Sequence, residues 1–223
     1  MTASRYNAAV QRVPMPDRIS ALPVSEAGFP VPWFVHWADG VPDFRVVGAG
    51  KLVEANNKRK CWVCGQPLGK FMATILGPMC VVNRTISEPP SHRECAIFSA
   101  LACPFLSNPR MRRREAGLPD EIVPAAGNGI KRNPGACAVW VTREFGPFKV
   151  PGGGVLFRVG DPHSVVWYAE GRAATREEVE ASIASGLPIL MEDAQAEGPA
   201  AVAALHLAVE KAMQYLPDAI PPT

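Results

Sequence analysis

The 223-residue chain contains no apolar run approaching the ~18 residues of a membrane span. Its opening MTASRYNAAVQRVPMPDR holds no apolar stretch of the signal-peptide kind, so a water-soluble, cytoplasmic protein is expected. Cysteine is sparse. Six residues fall well below the ~8–10% of a secreted disulfide scaffold. Five of them lie between Cys61 and Cys103, with Cys137 apart, and clustered cysteines in a reducing compartment read first as metal ligands. There is no internal repeat or heptad array, and no recognition-helix or RNA-binding signature supports sequence-specific readout of nucleic acid.

With 48% apolar residues, the chain can bury a real core as one irregular domain or two small ones. The net charge of +2 conceals an asymmetry. Between Lys58 and Arg114, ten Lys and Arg face only Glu88 and Glu94, a local balance of +8. From Asp161 onward, ten acids face Arg172, Arg176 and Lys211, a balance of −7. Such a split implies either an anionic partner for the centre or mutual neutralisation of the two parts.

Residues 1–30 are polar and proline-dotted, an arm that packs locally or stays loose. Trp33–Trp37 and Asp43–Val47 flank the turn dipeptide Asp39-Gly40 and read as a hairpin. Lys51–Lys60 reads as a short helix. After the cysteine region a basic, punctuated linker spans 108–135. The runs Ala136–Thr142, Val155–Val159 and Val165–Ala169 then suggest a three-stranded antiparallel meander. Thr175-x-x-Glu178 is a capping box opening a helix expected to stop at Gly186, before Pro188. Pro199 suits the first position of a second helix whose apolar positions recur at three- and four-residue steps.

Cys61-x-x-Cys64 places two thiolates on one tight turn, with Gly65 supplying permissive backbone. His92-x-x-Cys95 follows Pro89-Pro90, and Ser91-x-x-Glu94 reads as a capping box that puts both ligands in a helix's first turn. Residues three apart on a helix share a face, and the helix N-terminus offsets thiolate charge. The expected occupant is a structural Zn2+ held by Cys61, Cys64, His92 and Cys95. Two alternatives stay open: a set in which Cys80 replaces His92 or joins another metal such as an iron–sulfur cluster, and buried thiols without metal. A closed four-ligand zinc lacks the open position of a catalytic site and argues for a scaffold.

A knuckle, a hairpin and two ligands from a helix start resemble the treble-clef zinc domain over Lys60–Cys103. The resemblance implies hairpin strands at Phe71–Ile75 and Met79–Asn83 around a Gly77-Pro78 turn. The ligand spacing, with 27 residues between the two pairs, is longer than in compact zinc fingers. The string CWVCG, GPMC, NR, EPPSH, CPFL also looks like uncharacterised bacterial and phage proteins.

Arg110, Arg112, Arg113 and Arg114 form the strongest partner signal after the cysteines, and Lys58, Arg59, Lys60 and Arg84 extend it. The competing reading is a solvated linker, or one docked on the acidic C-terminal helices. Gly152-Gly153-Gly154 precedes a strand with no following Gly-Lys-Ser/Thr, so it reads as a loop and not as a phosphate cradle. Asp161-Pro162-His163-Ser164 reads as a turn. Treble-clef frames also host HNH-type nucleases. The expected hairpin here has no histidine, leaving Asn83, Arg84 and Glu88 as the polar residues for that alternative.

The expected whole is an α+β protein: arm (1–30), hairpin plus zinc module (31–107), basic linker (108–135), and an α+β unit (136–223) with a meander and two helices. Its expected function is non-catalytic binding or assembly, with a nucleic acid or other anionic partner on the arginine surface. A protein–protein or regulatory role without nucleic-acid affinity is the first alternative and an HNH-like nuclease the second.

Overall fold

A computed structural model describes residues 5–112, 114, 116–117, 132–150 and 154–218. The N-terminal segment is ordered by two one-turn helices, α1 (Ala8–Gln11) and α2 (Asp17–Ser20). Val10 and Ile19 are fully buried from them, so the segment packs as an arm. The expected hairpin follows as β1 (Val35–Ala38) and β2 (Val41–Val47). Its turn residues Asp39 and Gly40 both have positive φ, 49° and 80°, the backbone a two-residue hairpin turn requires. α3 (Lys51–Asn57) leads into the first cysteine pair.

β3 (Met72–Leu76) is the first strand of the cysteine region, but the residues after it form the helix α4 (Pro78–Asn83), correcting the expected second hairpin strand. Gly77 is its N-cap and Pro78 its first residue, where the missing proline N–H costs nothing. The sequence Gly-Pro was therefore a helix start. The strand β3 pairs with a partner distant in sequence.

The two-residue strand β4 (Thr85–Ile86) and the helices α5 (Arg93–Ala102) and α6 (Pro104–Ser107) complete this part. Beyond the linker come β5 (Ala136–Thr142), β6 (Phe145–Lys149), β7 (Val155–Val159), β8 (Pro162–Ala169) and β9 (Arg172–Ala173). They are divided between two sheets, ordered β3-β5-β8-β9 and β4-β7-β6. The meander is thus corrected: β7 leaves the sheet of β5 and β8 and pairs with β6 and β4. Asp161 precedes β8, and His163 and Ser164 lie in that strand, replacing the expected turn. Gly152 and Gly153 lie outside the described residues.

β5 is buried at all seven positions because it is central: β3 and β8 flank it, and both its faces are covered. On one face Trp140 and Ala138 join the main core with Leu76, Phe157, Trp167 and Val179. On the other, Val139 and Cys137 pack on Ala96 and Ala100 of α5. The strand of the cysteine region and the strand after the linker therefore share one sheet, which seats α5 and its first turn.

Two helices end the chain. α7 (Arg176–Glu197) opens on the expected capping box, with Thr175 accepting from the Glu178 N–H. It does not stop at Gly186; it runs through Pro188 to Glu197. Gly186 is a packing position, since a Cβ there would lie 2.9 Å from Met79 Cγ of α4. Packing of α7 on α4 and on α8 (Pro199–Met213) outweighs the local cost of the proline. Among the described residues, no helix is long and apolar enough to cross a membrane.

Candidate metal centre

The two ligand pairs, Cys61 with Cys64 and His92 with Cys95, come together from a knuckle and a helix start. Lys60 bridges Pro67, the Cys61 N–H donates to the Gln66 carbonyl at 2.8 Å, and the Gly65 N–H to the Cys61 carbonyl at 2.8 Å. Gly65 has φ +72°, and a Cβ there would sit 2.5 Å from ring carbons of Trp33. Both the backbone conformation and the indole require glycine. Trp33 is held in place by its own N–H, 2.7 Å from the Val63 carbonyl.

The second pair depends on the sheet. Ser91 exchanges two backbone hydrogen bonds with Ala73 of β3, at 2.7 and 2.8 Å. The expected Ser91–Glu94 capping box is therefore not formed; His92, in extended conformation, is the N-cap, and Cys95 is the third helical residue. Glu94 turns to Arg18, 3.1 Å away.

Four ligand atoms, one each from Cys61, Cys64, His92 and Cys95, lie within 4.8 Å of one another. His92 Nδ1 is 3.3 Å from Cys64 Sγ and 4.0 Å from Cys95 Sγ. A tetrahedral ion with ~2.3 Å metal–sulfur bonds sets its ligands ~3.5–3.8 Å apart, a range the two histidine–sulfur distances bracket. His92 Nε2 lies 3.0 Å from the Pro67 carbonyl oxygen. A carbonyl only accepts, so that nitrogen carries the proton and Nδ1 offers its lone pair to the cluster.

Cys61 Sγ accepts from the backbone N–H groups of Cys64 and His92, each at 3.4 Å. The Cys61 thiol is pushed well below its ordinary pKa, first by the Cys64 and Cys95 thiols and then by those amides, against the opposing effect of burial. The Cys61 thiol in turn pushes Cys64 upward, Cys61 and Cys64 together push Cys95 upward, and burial adds to both. Three thiolates held this close repel one another, and a bound cation would offset that charge. Cys61 and Cys95 are buried, Cys64 and His92 partly so, and the four side chains suit a closed site.

The other cysteines stand apart. Cys80 packs against the main core, and burial raises its thiol to about 11. Burial raises Cys137 to about 12 and also raises Cys103. None belongs to the four-ligand group.

The basic residues are dispersed. Lys58 and Lys60 both pair with Glu54, at 3.2 and 2.8 Å, and Lys60 also faces the Trp33 ring. Arg59 donates to the Gly69 carbonyl at 3.2 Å. Arg84 is used internally: its guanidinium stacks 4.2 Å from Trp140, reaches the Gly160 carbonyl and pairs with Asp161 at 3.0 Å. Arg110, Arg112 and Arg114 are exposed and form no ion pair among the described residues, while Arg113 lies outside them. Asn83 Oδ1 accepts from the Thr85 N–H, ending α4.

The linker is anchored at both ends of this arginine run. Asn133, 3% exposed, donates through Nδ2 to the Phe105 and Leu106 carbonyls and accepts from the Gly135 N–H. Its own N–H reaches the Met111 carbonyl at 2.8 Å, setting Arg112 opposite Arg132. Arg45, paired with Asp43 at 2.6 Å, donates to the carbonyls of Ala116 and Gly117. Sequence reading missed Asn133, Arg45 and Arg18, whose contacts with Leu106, Ala116 and Glu94 span 27, 71 and 76 residues and leave no local signal.

Compared with known proteins, the chain matches no family model, and no curated protein or solved structure is significantly similar to it.

Proposed function

We propose that the protein is a zinc-stabilised binding or assembly protein. Its metal fixes the knuckle against α5, in a knuckle-and-helix arrangement akin to part of a treble clef. The observation that carries this reading is the four-ligand set, with a histidine whose tautomer is fixed by the Pro67 carbonyl. Four protein donors fill a tetrahedron and leave no position for a substrate, which favours a scaffold over a hydrolytic centre. The six free thiols suit a reducing compartment such as the cytoplasm.

The partner proposed for the arginine run is a nucleic acid or another phosphate-bearing surface. Arg110, Arg112 and Arg114 are exposed, without carboxylate partners among the described residues, on a backbone anchored through Asn133 and Arg45. Anchoring lowers the ordering cost of binding. The test is titration of a fluorescently labelled oligonucleotide with the full chain at several salt concentrations. Affinity that falls steeply with salt supports the reading, and absence of binding at low salt removes it.

A protein partner is the second reading, favoured by the hairpin. Trp37 (42% exposed), Val41 (64%), Phe44 (45%) and Val47 (45%) gather much of the exposed large apolar surface in one two-stranded element. Concentrated apolar exposure is a signature of protein docking. Retention of binding partners lost on Trp37→Ser and Phe44→Ser, with no oligonucleotide affinity, would favour it over the first.

A further inference from the structure

We propose that the N-terminal arm is a strap over the metal centre, with Arg18 as its positioning residue, so that metal loading and docking of the arm are mutually dependent. The proposal rests on the metal reading above. The Arg18 side chain, on α2, makes polar contacts with both ligand-bearing segments. Nη1 donates to Gln66 Oε1 in the knuckle, and Nε donates to Glu94 Oε1 at 3.1 Å, in the first turn of α5. Gln66 is itself the residue whose carbonyl accepts from the Cys61 N–H, and Glu94 directly precedes Cys95. One guanidinium therefore ties the two halves of the ligand set together from outside.

The arm also closes the site from its apolar side. Val10 and Ile19, both 0% exposed, share one cluster with Cys61, Val63, Cys95, Phe98 and Ala102. Two of the ligand cysteines are thus core residues of the same cluster that seats the arm. The arm's backbone is fastened to itself by the Asn7 N–H to Gly28 carbonyl bond at 2.9 Å and by the Val24–Pro30 bridge, so it docks as a closed loop. Gly28 lies so close to Asn7 that a Cβ would stand 2.5 Å from its nitrogen.

Loss of the metal removes the bonds that hold Cys61 against Cys95. The surface on which Val10 and Ile19 sit then loses its fixed shape. By linkage, whatever favours the docked arm favours the bound metal by the same factor. An arm released in this way would expose the apolar surface of Val10 and Ile19, and its backbone to cleavage, only in the metal-free state.

The experiment uses the full chain loaded with Zn2+ and follows metal transfer to a chromophoric chelator in the wild type, Arg18→Ala and Arg18→Lys. Trypsin cleavage after Arg12 and Arg18 is measured in the loaded and stripped wild type. We expect release about 3- to 10-fold faster in Arg18→Ala, consistent with loss of partly exposed charge-assisted bonds. Arg18→Lys restores part of it, since an ammonium serves only one of the two acceptors well. The stripped forms of all three should melt alike, which a purely structural role for Arg18 would not give. Cleavage should be at least about 10-fold faster after stripping. Unchanged release in Arg18→Ala together with an unchanged tryptic pattern would overturn the strap while leaving the metal reading standing. A chain that takes up no metal would remove both.

Discussion

His92 Nε2 stands 3.0 Å from the carbonyl oxygen of Pro67, on the far side of the imidazole from the three cysteine sulfurs. That bond fixes which nitrogen is free, and it links the α5 end of the site to the knuckle. His92→Ala removes one donor and opens a coordination position. The expected result is metal affinity reduced by more than about 100-fold, beyond the usual cost of losing only a supporting contact. His92→Cys restores a four-donor set and should recover most of the affinity. Chelator competition with Co2+-substituted protein, read by its visible bands, measures both.

Gly65→Ala tests the knuckle without touching a ligand. A methyl group there meets the Trp33 ring at 2.5 Å, and φ of +72° is unfavourable for any side chain. Destabilisation of about 1–3 kcal/mol is expected, read from the denaturant midpoint of the metal-loaded chain. Trp33→Ala in the same background should recover part of this by removing the obstacle, though not the backbone strain.

How much of this was legible in the chain follows from the range of each interaction. Cys61-x-x-Cys64 and His92-x-x-Cys95 were readable because each pair is set by a single turn. Thr175-x-x-Glu178 was readable for the same reason. The strand expected at Met79–Asn83 failed because Gly77-Pro78 fits a hairpin turn and a helix start equally, and only the pairing of β3 with β5, more than 60 residues away, decides between them. The strand β6 was passed over because FGPFK carries both glycine and proline, which weaken any strand signal. Pro188 misled in the opposite direction, since the helices packed on α7 carry it past the proline. Nothing in VPMPDRIS announces that Arg18 will meet Glu94 across 76 residues.

The cap of α7 gives a pH dependence. Glu178 is held down to about 2, first by Arg172, whose guanidinium donates at 2.6 and 2.9 Å, and then by the Thr175 N–H at 2.8 Å. A carboxyl with a depressed folded-state pKa contributes stability above its unfolded value of ~4.3 and loses it as pH falls toward 2. Glu178→Gln should therefore be less stable than wild type at pH 7, by about 1 kcal/mol, with the gap closing between pH 4.5 and 2. Urea unfolding across that range measures it. A gap independent of pH would contradict the assignment.

The arginine run predicts a graded loss of electrostatic binding. Each of Arg112→Ala and Arg114→Ala should weaken oligonucleotide binding and reduce the slope of log affinity against log salt by about 0.7–0.9 per phosphate contact removed. Arg84→Ala should leave that slope unchanged, because its guanidinium is already engaged by Trp140, Gly160 and Asp161. It should instead lower stability.

The central claim is that Cys61, Cys64, His92 and Cys95 hold one structural metal ion. Elemental mass spectrometry of tag-free protein, purified without added metal, tests it most directly, with Cys61→Ser measured alongside. The account predicts one zinc per chain in the wild type and its loss, with unfolding of the knuckle region, in Cys61→Ser. Iron in place of zinc, or a folded wild-type chain with no bound metal, would contradict it.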